Sequence, residues 1–107
     1  MNEDYAQMKE NHPNLIELLN WLTKTTGLGF TKTSGYRKGD NGVHGTWPCR
    51  ARDLRMRSYE IGVVICKHIN DNWIYDPARA NKMCAILHGD GANLHIHTQV
   101  HPNTVRS

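Results

Sequence analysis

The chain has 107 residues and a formal net charge of +3 when histidine is counted as neutral. This length predicts a single domain spanning residues 1–107, with a polar leader at 1–11. The positive charge is small and scattered outside "RARDLRMR" at 50–57, which argues against a nucleic-acid-binding protein. The acidic start lacks a signal peptide, and no apolar run could cross a membrane, so we expect cytoplasmic synthesis and no membrane partner.

Histidine is the residue type that stands out in the composition. The chain contains seven histidines, whereas average usage would give about two or three in this length. The three cysteines form no C-x-x-C pair, which predicts reduced thiols rather than a disulfide framework or a thiolate zinc site. The histidines are therefore the first candidates for metal-binding or catalytic residues.

The predicted elements begin with an amphipathic helix in "NHPNLIELLNWLTKTTG", which has Pro13 near its start and Gly27 at its end. A strand follows in "LGFTKTSGYR" and ends near Gly35. Residues 38–48 are rich in glycine and lack periodicity, which indicates a long functional loop. The next segment, "CRARDLRM", alternates in the manner of a short strand.

A second helix is predicted in "SYEIGVVICKHINDN", with Ser58 as its N-cap. Its inward face is expected to follow the residues at helical spacing, which are Ile61, Val64, Ile65, His68 and Ile69. A brief strand at 73–75 is possible before the segments "MCAILH", "GDGAN" and "LHIHTQV", which predict a β-hairpin. The order of elements predicts an α+β fold, a small antiparallel sheet packed with two to three helices.

The last predicted strand carries two histidines on one face, because side chains alternate along a strand. His95, His97 and Gln99 share that face, while the opposite, mostly apolar face takes the core. From these residues alone, the two histidines are either part of a metal site or polar residues on an exposed sheet face.

Partners for such a site stand in the middle of the chain. A hydrolytic zinc site needs three protein ligands drawn from His, Asp and Glu, with one position left open for water. His44 lies in the glycine-rich loop and Asp53 in the following strand. Arg37 enters the same loop and could hold a carboxylate or a developing oxyanion. Each of these residues taken alone also has an ordinary structural explanation.

In chain order, S-G-Y-R, a histidine, R-A-x-D and a terminal H-x-H resemble the motifs of one family. It comprises small zinc peptidases: D-Ala-D-Ala carboxypeptidases and dipeptidases, phage L-Ala-D-Glu endolysins and murein endopeptidases, with hedgehog domains as relatives. The resemblance covers residues 33–100 and implies a hedgehog-like fold. It also implies that His44, Asp53 and His97 bind Zn²⁺, and that Arg37 contacts substrate and steadies the tetrahedral intermediate.

The resemblance also implies a general base. Many relatives have an acid three positions before the last ligand, where this chain has Leu94. A subgroup of murein endopeptidases has a histidine two positions before that ligand, and His95 matches this pattern. Eight residues separate His44 from Asp53, more than in most relatives, and Gly42 replaces a common serine. The implied activity is a zinc-dependent cleavage of peptidoglycan stem or cross-link peptides.

Other interpretations use the same residues. A metal-binding virion or structural relative without turnover would keep the ligands. A histidine-hydrophobe-histidine nuclease would need a catalytic tyrosine, usually after the motif, but no tyrosine follows His97. A histidine-triad hydrolase would need a histidine where Gln99 stands. A peptidase made without a signal peptide would act on the cell wall after release by lysis or delivery by a virion, which suggests a phage or prophage origin.

The remaining histidines have weaker predicted roles. His88 ends the first strand of the predicted hairpin and His101 follows the second, and one of them could orient a metal ligand. His12 and His68 are expected to have structural or solvent-exposed roles.

Overall fold

A computed structural model of the protein describes residues 11–29, 32–34 and 49–107. The helices are α1 (Pro13–Thr26), α2 (Tyr59–Asn72) and a short 3₁₀ helix (Gly91–Asn93). The strands are β1 (Lys32–Ser34), β2 (Ala51–Arg55), β3 (Trp73–Ile74), β4 (Ala85–His88), β5 (His95–Gln99) and β6 (Val105–Arg106). The predicted α+β class, with a small antiparallel sheet and two main helices, is confirmed.

Four strands form the main sheet, in the order β1-β2-β5-β4, and every neighbouring pair is antiparallel. The predicted hairpin is present as β4 and β5. The brief strand predicted at 73–75 is present as β3, which pairs with β6 in a separate two-stranded sheet. Strand β6 was not predicted from the sequence pattern. Among the described residues, Cys66 and Cys84 have free thiols.

Helix α1 begins and ends where its sequence predicts. The Nδ1 atom of His12, the N-cap residue, accepts a hydrogen bond from the backbone N–H of Asn14 at 3.1 Å. Pro13 occupies the first helical position, and Gly27 ends the helix with a φ of 69°, a conformation that glycine adopts without strain. The helix inserts its leucines into the core, and three of them are fully buried: Leu15, Leu18 and Leu22.

Helix α2 begins at the predicted N-cap, Ser58, but its predicted inward face is partly wrong. Ile61 and Val64 are 54% and 68% exposed. The buried face passes through Gly62 instead, because α2 approaches β4 so closely there that an added Cβ would lie 2.9 Å from a methyl group of Leu87. Apolar spacing could not reveal this face, since glycine contributes no hydrophobic signal. The buried residues of α2 are Gly62, Ile65 and Ile69.

The two faces of the main sheet have different chemistry. On one face, Leu54 and Ile96 are fully buried in the same core as the leucines of α1. The opposite face, called here the site face, carries polar side chains from β2, β4 and β5. Its polar members are Asp53, Arg55, His88, His95, His97 and Gln99, and Ala51 and Ile86 lie on the same face. The fold thus collects on one surface residues that are up to 46 positions apart in the chain.

Neither α1 nor α2, nor any other helix of the described ranges, combines the length and the apolar character that crossing a membrane requires.

Candidate metal centre

The register between β2 and β5 brings the predicted site residues together. Asp53 lies directly opposite His97, and Arg55 lies directly opposite His95. On the other side of β5, His88 of β4 is opposite His95. Directly opposed residues in an antiparallel pair have side chains close enough to interact. The site face therefore contains two adjacent cross-strand pairs between β2 and β5, with His88 of β4 beside the second pair.

Asp53 and His97 are in direct contact. Oδ1 of Asp53 lies 3.1 Å from Nδ1 of His97, and the two side chains are only 10% and 20% exposed. Carboxylate oxygen and imidazole nitrogen are both zinc ligands, at about 2.0–2.2 Å. Two such donors at a tetrahedral angle around one ion would be about 3.3 Å apart. The contact is therefore compatible in spacing and in donor chemistry with two ligands of one zinc ion.

Gln99 orients the imidazole of His97. Its Nε2 donates to the carbonyl of Met83 at 2.8 Å, which turns its Oε1 toward Nε2 of His97 at 3.1 Å. Because an amide oxygen only accepts, His97 donates through Nε2. The carboxylate of Asp53 also only accepts, so its contact with Nδ1 is a hydrogen bond when Nδ1 carries a proton, and Nδ1 can bind a metal ion once that proton is lost. This role of Gln99 was not predicted from the sequence. The available signal was its position on the face of His95 and His97, two residues beyond the second histidine.

His95 has a different environment from His97. Its Nδ1 lies 2.6 Å from the backbone carbonyl of Asn93. A carbonyl accepts only, so Nδ1 must carry the hydrogen, and in the neutral ring Nε2 is then the nitrogen that can accept a proton. The ring also lies edge-on to His88, with 5.5 Å between the ring centroids. The two histidines therefore have different partners. His97 faces the carboxylate of Asp53, whereas His95 is hydrogen-bonded to the turn that precedes β5.

That turn requires a glycine at position 89. Gly89 has a φ of 80°, and a Cβ atom added there would collide with the carbonyl of Asn93. This is the carbonyl that bonds to His95. The backbone of the hairpin turn therefore sets the position of the His95 ring.

The other two predicted site residues, His44 and Arg37, lie outside the described residues. Within residues 11–29, 32–34 and 49–107, no group of three or more His, Cys, Asp or Glu side chains is placed to hold a metal ion. The described part thus supplies two of the three predicted ligands, Asp53 and His97, together with the predicted base, His95.

The remaining histidines lie in structural contacts. His12 caps α1, and the ring of His68 stacks on Trp21 with 4.6 Å between centroids. Nδ1 of His101 accepts from the backbone N–H of Asn103 at 3.0 Å and lies 3.8 Å from Asp76. His12 and His68 agree with their expected roles. Of the two histidines that could orient a ligand, only His88 lies on the site face.

Comparisons of the chain with protein-family models, with curated proteins and with solved structures found no significant match.

Proposed function

We propose that this protein is a zinc-dependent peptidase that cleaves stem or cross-link peptides of peptidoglycan. The observation that carries the proposal is the contact between Asp53 and His97 across β2 and β5, within a mostly buried part of the site face. These are two of the three residues that the family resemblance assigns to zinc. An α+β fold with an antiparallel sheet is compatible with the hedgehog-like, D-Ala-D-Ala peptidase-like fold that the resemblance implies.

In this proposal, the zinc ion is bound by Asp53, His97 and His44. Gln99 orients the imidazole of His97 by its hydrogen bond to Nε2, the ring nitrogen that does not face Asp53. When bound, Zn²⁺ supplies Lewis acidity, which polarises the peptide carbonyl and activates water near neutral pH. A site built from one carboxylate and two imidazoles matches the donor set of hydrolytic zinc enzymes.

His95 is the proposed general base and acid. Its Nδ1–H is engaged by Asn93, so Nε2 can take a proton from the attacking water and return it to the leaving amine. A histidine suits this exchange because an imidazole nitrogen can both accept and donate a proton. Arg37 is the proposed partner of the oxyanion that develops on the peptide carbonyl.

The substrate and location follow from the resemblance. Peptidoglycan peptides are the proposed substrates, and the bond cleaved is either the terminal carboxypeptidase bond or an internal endopeptidase bond. We propose a phage or prophage product that is made in the cytoplasm and reaches the cell wall by lysis or virion delivery. Nucleic acid and membrane are not proposed partners.

Metal analysis of the purified protein is the decisive experiment. We expect about one zinc ion per chain in the wild type and loss of that zinc in His97→Ala, because two remaining ligands bind the ion weakly. His68→Ala is the matched control, since His68 lies on α2 and stacks on Trp21 away from the site face; it should retain zinc. Absence of zinc from the wild type after loading would overturn the proposal.

A second experiment separates an active enzyme from a metal-binding relative without turnover. Zinc-loaded protein is incubated with purified muropeptides, and the products are mapped by mass. The peptidase predicts a product shortened by D-alanine or a peptide cut internally. Stoichiometric zinc with no product from any muropeptide would favour the inactive relative.

A further inference from the structure

Among the polar residues that define the site face, Arg55 is the arginine, and the others are histidines, an aspartate and a glutamine. It is the last residue of β2, two positions after Asp53, so both side chains project from the same face of the sheet. Its direct cross-strand partner is His95, the proposed base. Arg55 therefore lies beside the pair formed by Asp53 and His97, on the side toward the hairpin turn.

Among the described residues, the guanidinium of Arg55 contacts a backbone carbonyl and no carboxylate. Its Nη2 lies 3.4 Å from the carbonyl of Ala92, in the same turn whose Asn93 carbonyl holds His95. Within the described ranges, none of the salt bridges involves Arg55, and its side chain is exposed. A guanidinium that keeps most of its donors available is suited to bidentate binding of a carboxylate.

The spacing along the sheet matches that of an extended peptide. The pair formed by Arg55 and His95 is two residues from the pair formed by Asp53 and His97, which corresponds to about 6–7 Å along the strands. An extended peptide advances about 3.3–3.6 Å per residue. A peptide with its reacting carbonyl at Asp53 and His97 would thus bring a group one or two residues away within reach of Arg55.

We infer that Arg55 binds a carboxylate of the substrate one or two residues from the bond that is cleaved. The inference rests on the proposed peptidase function and adds a specificity determinant to it. The carboxylate is either the C-terminus of the peptide or an acidic group within the peptide. Arg55 acts on substrate choice, while His95 and the zinc ligands act on the chemistry.

The test compares three forms of one stem peptide with zinc-loaded protein: the free peptide, a form amidated at its C-terminus and a form amidated at its internal carboxylates. Values of kcat/KM and the Kd from calorimetry are measured for the wild type, Arg55→Ala and Arg55→Lys. Arg57→Ala is the matched control, because Arg57 is exposed and follows the end of β2 without a partner on β5. Melting temperatures and zinc contents show whether each variant is folded and loaded.

We expect the wild type to prefer the free peptide over one of the amidated forms by about tenfold or more, as for loss of a charge-assisted hydrogen bond. The amidated form that loses rate and affinity identifies which carboxylate binds. In Arg55→Ala the preference should fall to nearly one, in Arg55→Lys part of it should return, and Arg57→Ala should keep it. The preference should also weaken at high salt, because the arginine is exposed.

Two outcomes would overturn the inference in distinguishable ways. If the wild type cleaves the peptides and Arg55→Ala keeps the same preference, Arg55 does not select the carboxylate, and the peptidase function stands. The same conclusion follows if Arg57→Ala alone removes the preference. If the zinc-loaded wild type neither binds nor cleaves any of the peptides, the proposed function and the inference both fail.

Discussion

Gln99 shows how a residue outside the predicted ligand set can decide the chemistry of a ligand. An imidazole can present either nitrogen to a metal, and the choice is set by the hydrogen bond that the other nitrogen makes. Here Gln99 accepts from Nε2 of His97 and is itself anchored on Met83. Nδ1 of His97 is thereby presented toward Asp53.

We predict that Gln99→Ala lowers zinc affinity by about 10- to 100-fold, the usual effect of removing a group that orients a metal ligand. Competition with a chromogenic chelator measures the affinity directly. Gln99→Glu keeps an acceptor for His97 but loses the bond to Met83, so its affinity should fall between the two. Equal affinity in the wild type and Gln99→Ala would contradict the role assigned to Gln99.

His95 allows a complementary prediction on turnover. Because the bond to Asn93 orients its ring but no ligand role is proposed, His95→Ala should retain zinc. Its kcat should fall by about 10²- to 10⁴-fold, the contribution typical of a general base. Metal content and the rate of muropeptide cleavage are measured on the same preparation. Full turnover in His95→Ala would exclude His95 as the base.

At the scale of elements, helix α2 protects the open edge of the main sheet. Strand β4 is an edge strand, and unpaired backbone groups on an edge invite pairing with other chains. The amide of Asn70 satisfies both polar backbone groups of Ala85: Oδ1 accepts from its N–H at 3.0 Å, and Nδ2 donates to its carbonyl at 2.8 Å. The thiol of Cys66 also donates to that carbonyl, and burial raises its pKa, which keeps it protonated.

We predict that Asn70→Ala destabilises the protein by about 1–3 kcal/mol, since two partly buried backbone groups lose their partner. Lys67→Ala, on the same helix, is the matched control: its ion pair with Asp71 is exposed, so its loss should cost at most about 0.5 kcal/mol. Urea unfolding of both variants measures the difference. Equal stabilities would show that the amide of Asn70 contributes nothing to the edge of β4.

At the scale of the whole molecule, the start of α1 is hydrogen-bonded to two segments, one just before β2 and one just after β5. The backbone N–H of His12 donates to the carbonyl of Cys49 at 2.7 Å, and the side chain of Asn14 donates to the carbonyl of His101 at 3.0 Å. Burial of His12, with Arg50 and His101 nearby, lowers its pKa from the ordinary 6.5. The neutral ring is also the form that can accept the capping hydrogen bond from Asn14.

This lowered pKa makes stability depend on pH. Below pH 6.5 the unfolded chain binds a proton at His12 more readily than the folded protein does, so the free energy of unfolding rises with pH in this window. The stabilisation is complete above 6.5 and is lost as the pH falls through the folded pKa. His12→Asn keeps a capping oxygen but does not titrate. We therefore expect a shallower rise in stability between about pH 5 and 7 in this variant, measured by urea unfolding.

Groups that titrate elsewhere are common to the wild type and His12→Asn, so the difference between the two pH profiles isolates His12. Parallel profiles with the same slope below pH 6.5 would contradict the prediction.

The sequence by itself determined much of the local structure. Helix α1 follows from Pro13, the leucine spacing and Gly27, and the start of α2 follows from Ser58, because capping and glycine conformation act within one turn of chain. Strand alternation likewise predicted that His95 and His97 share a face opposite the core. These features depend only on neighbouring residues.

Only the tertiary structure decided which of these residues meet. The register of β2 against β5 places Asp53 opposite His97 and Arg55 opposite His95. A shift of this register by one residue would turn Asp53 to the other face of the sheet. The inward face of α2 depends on close approach at Gly62, which carries no hydrophobic signal. Such contacts join residues far apart in the chain, so their energies appear only once the sheet has formed and packed.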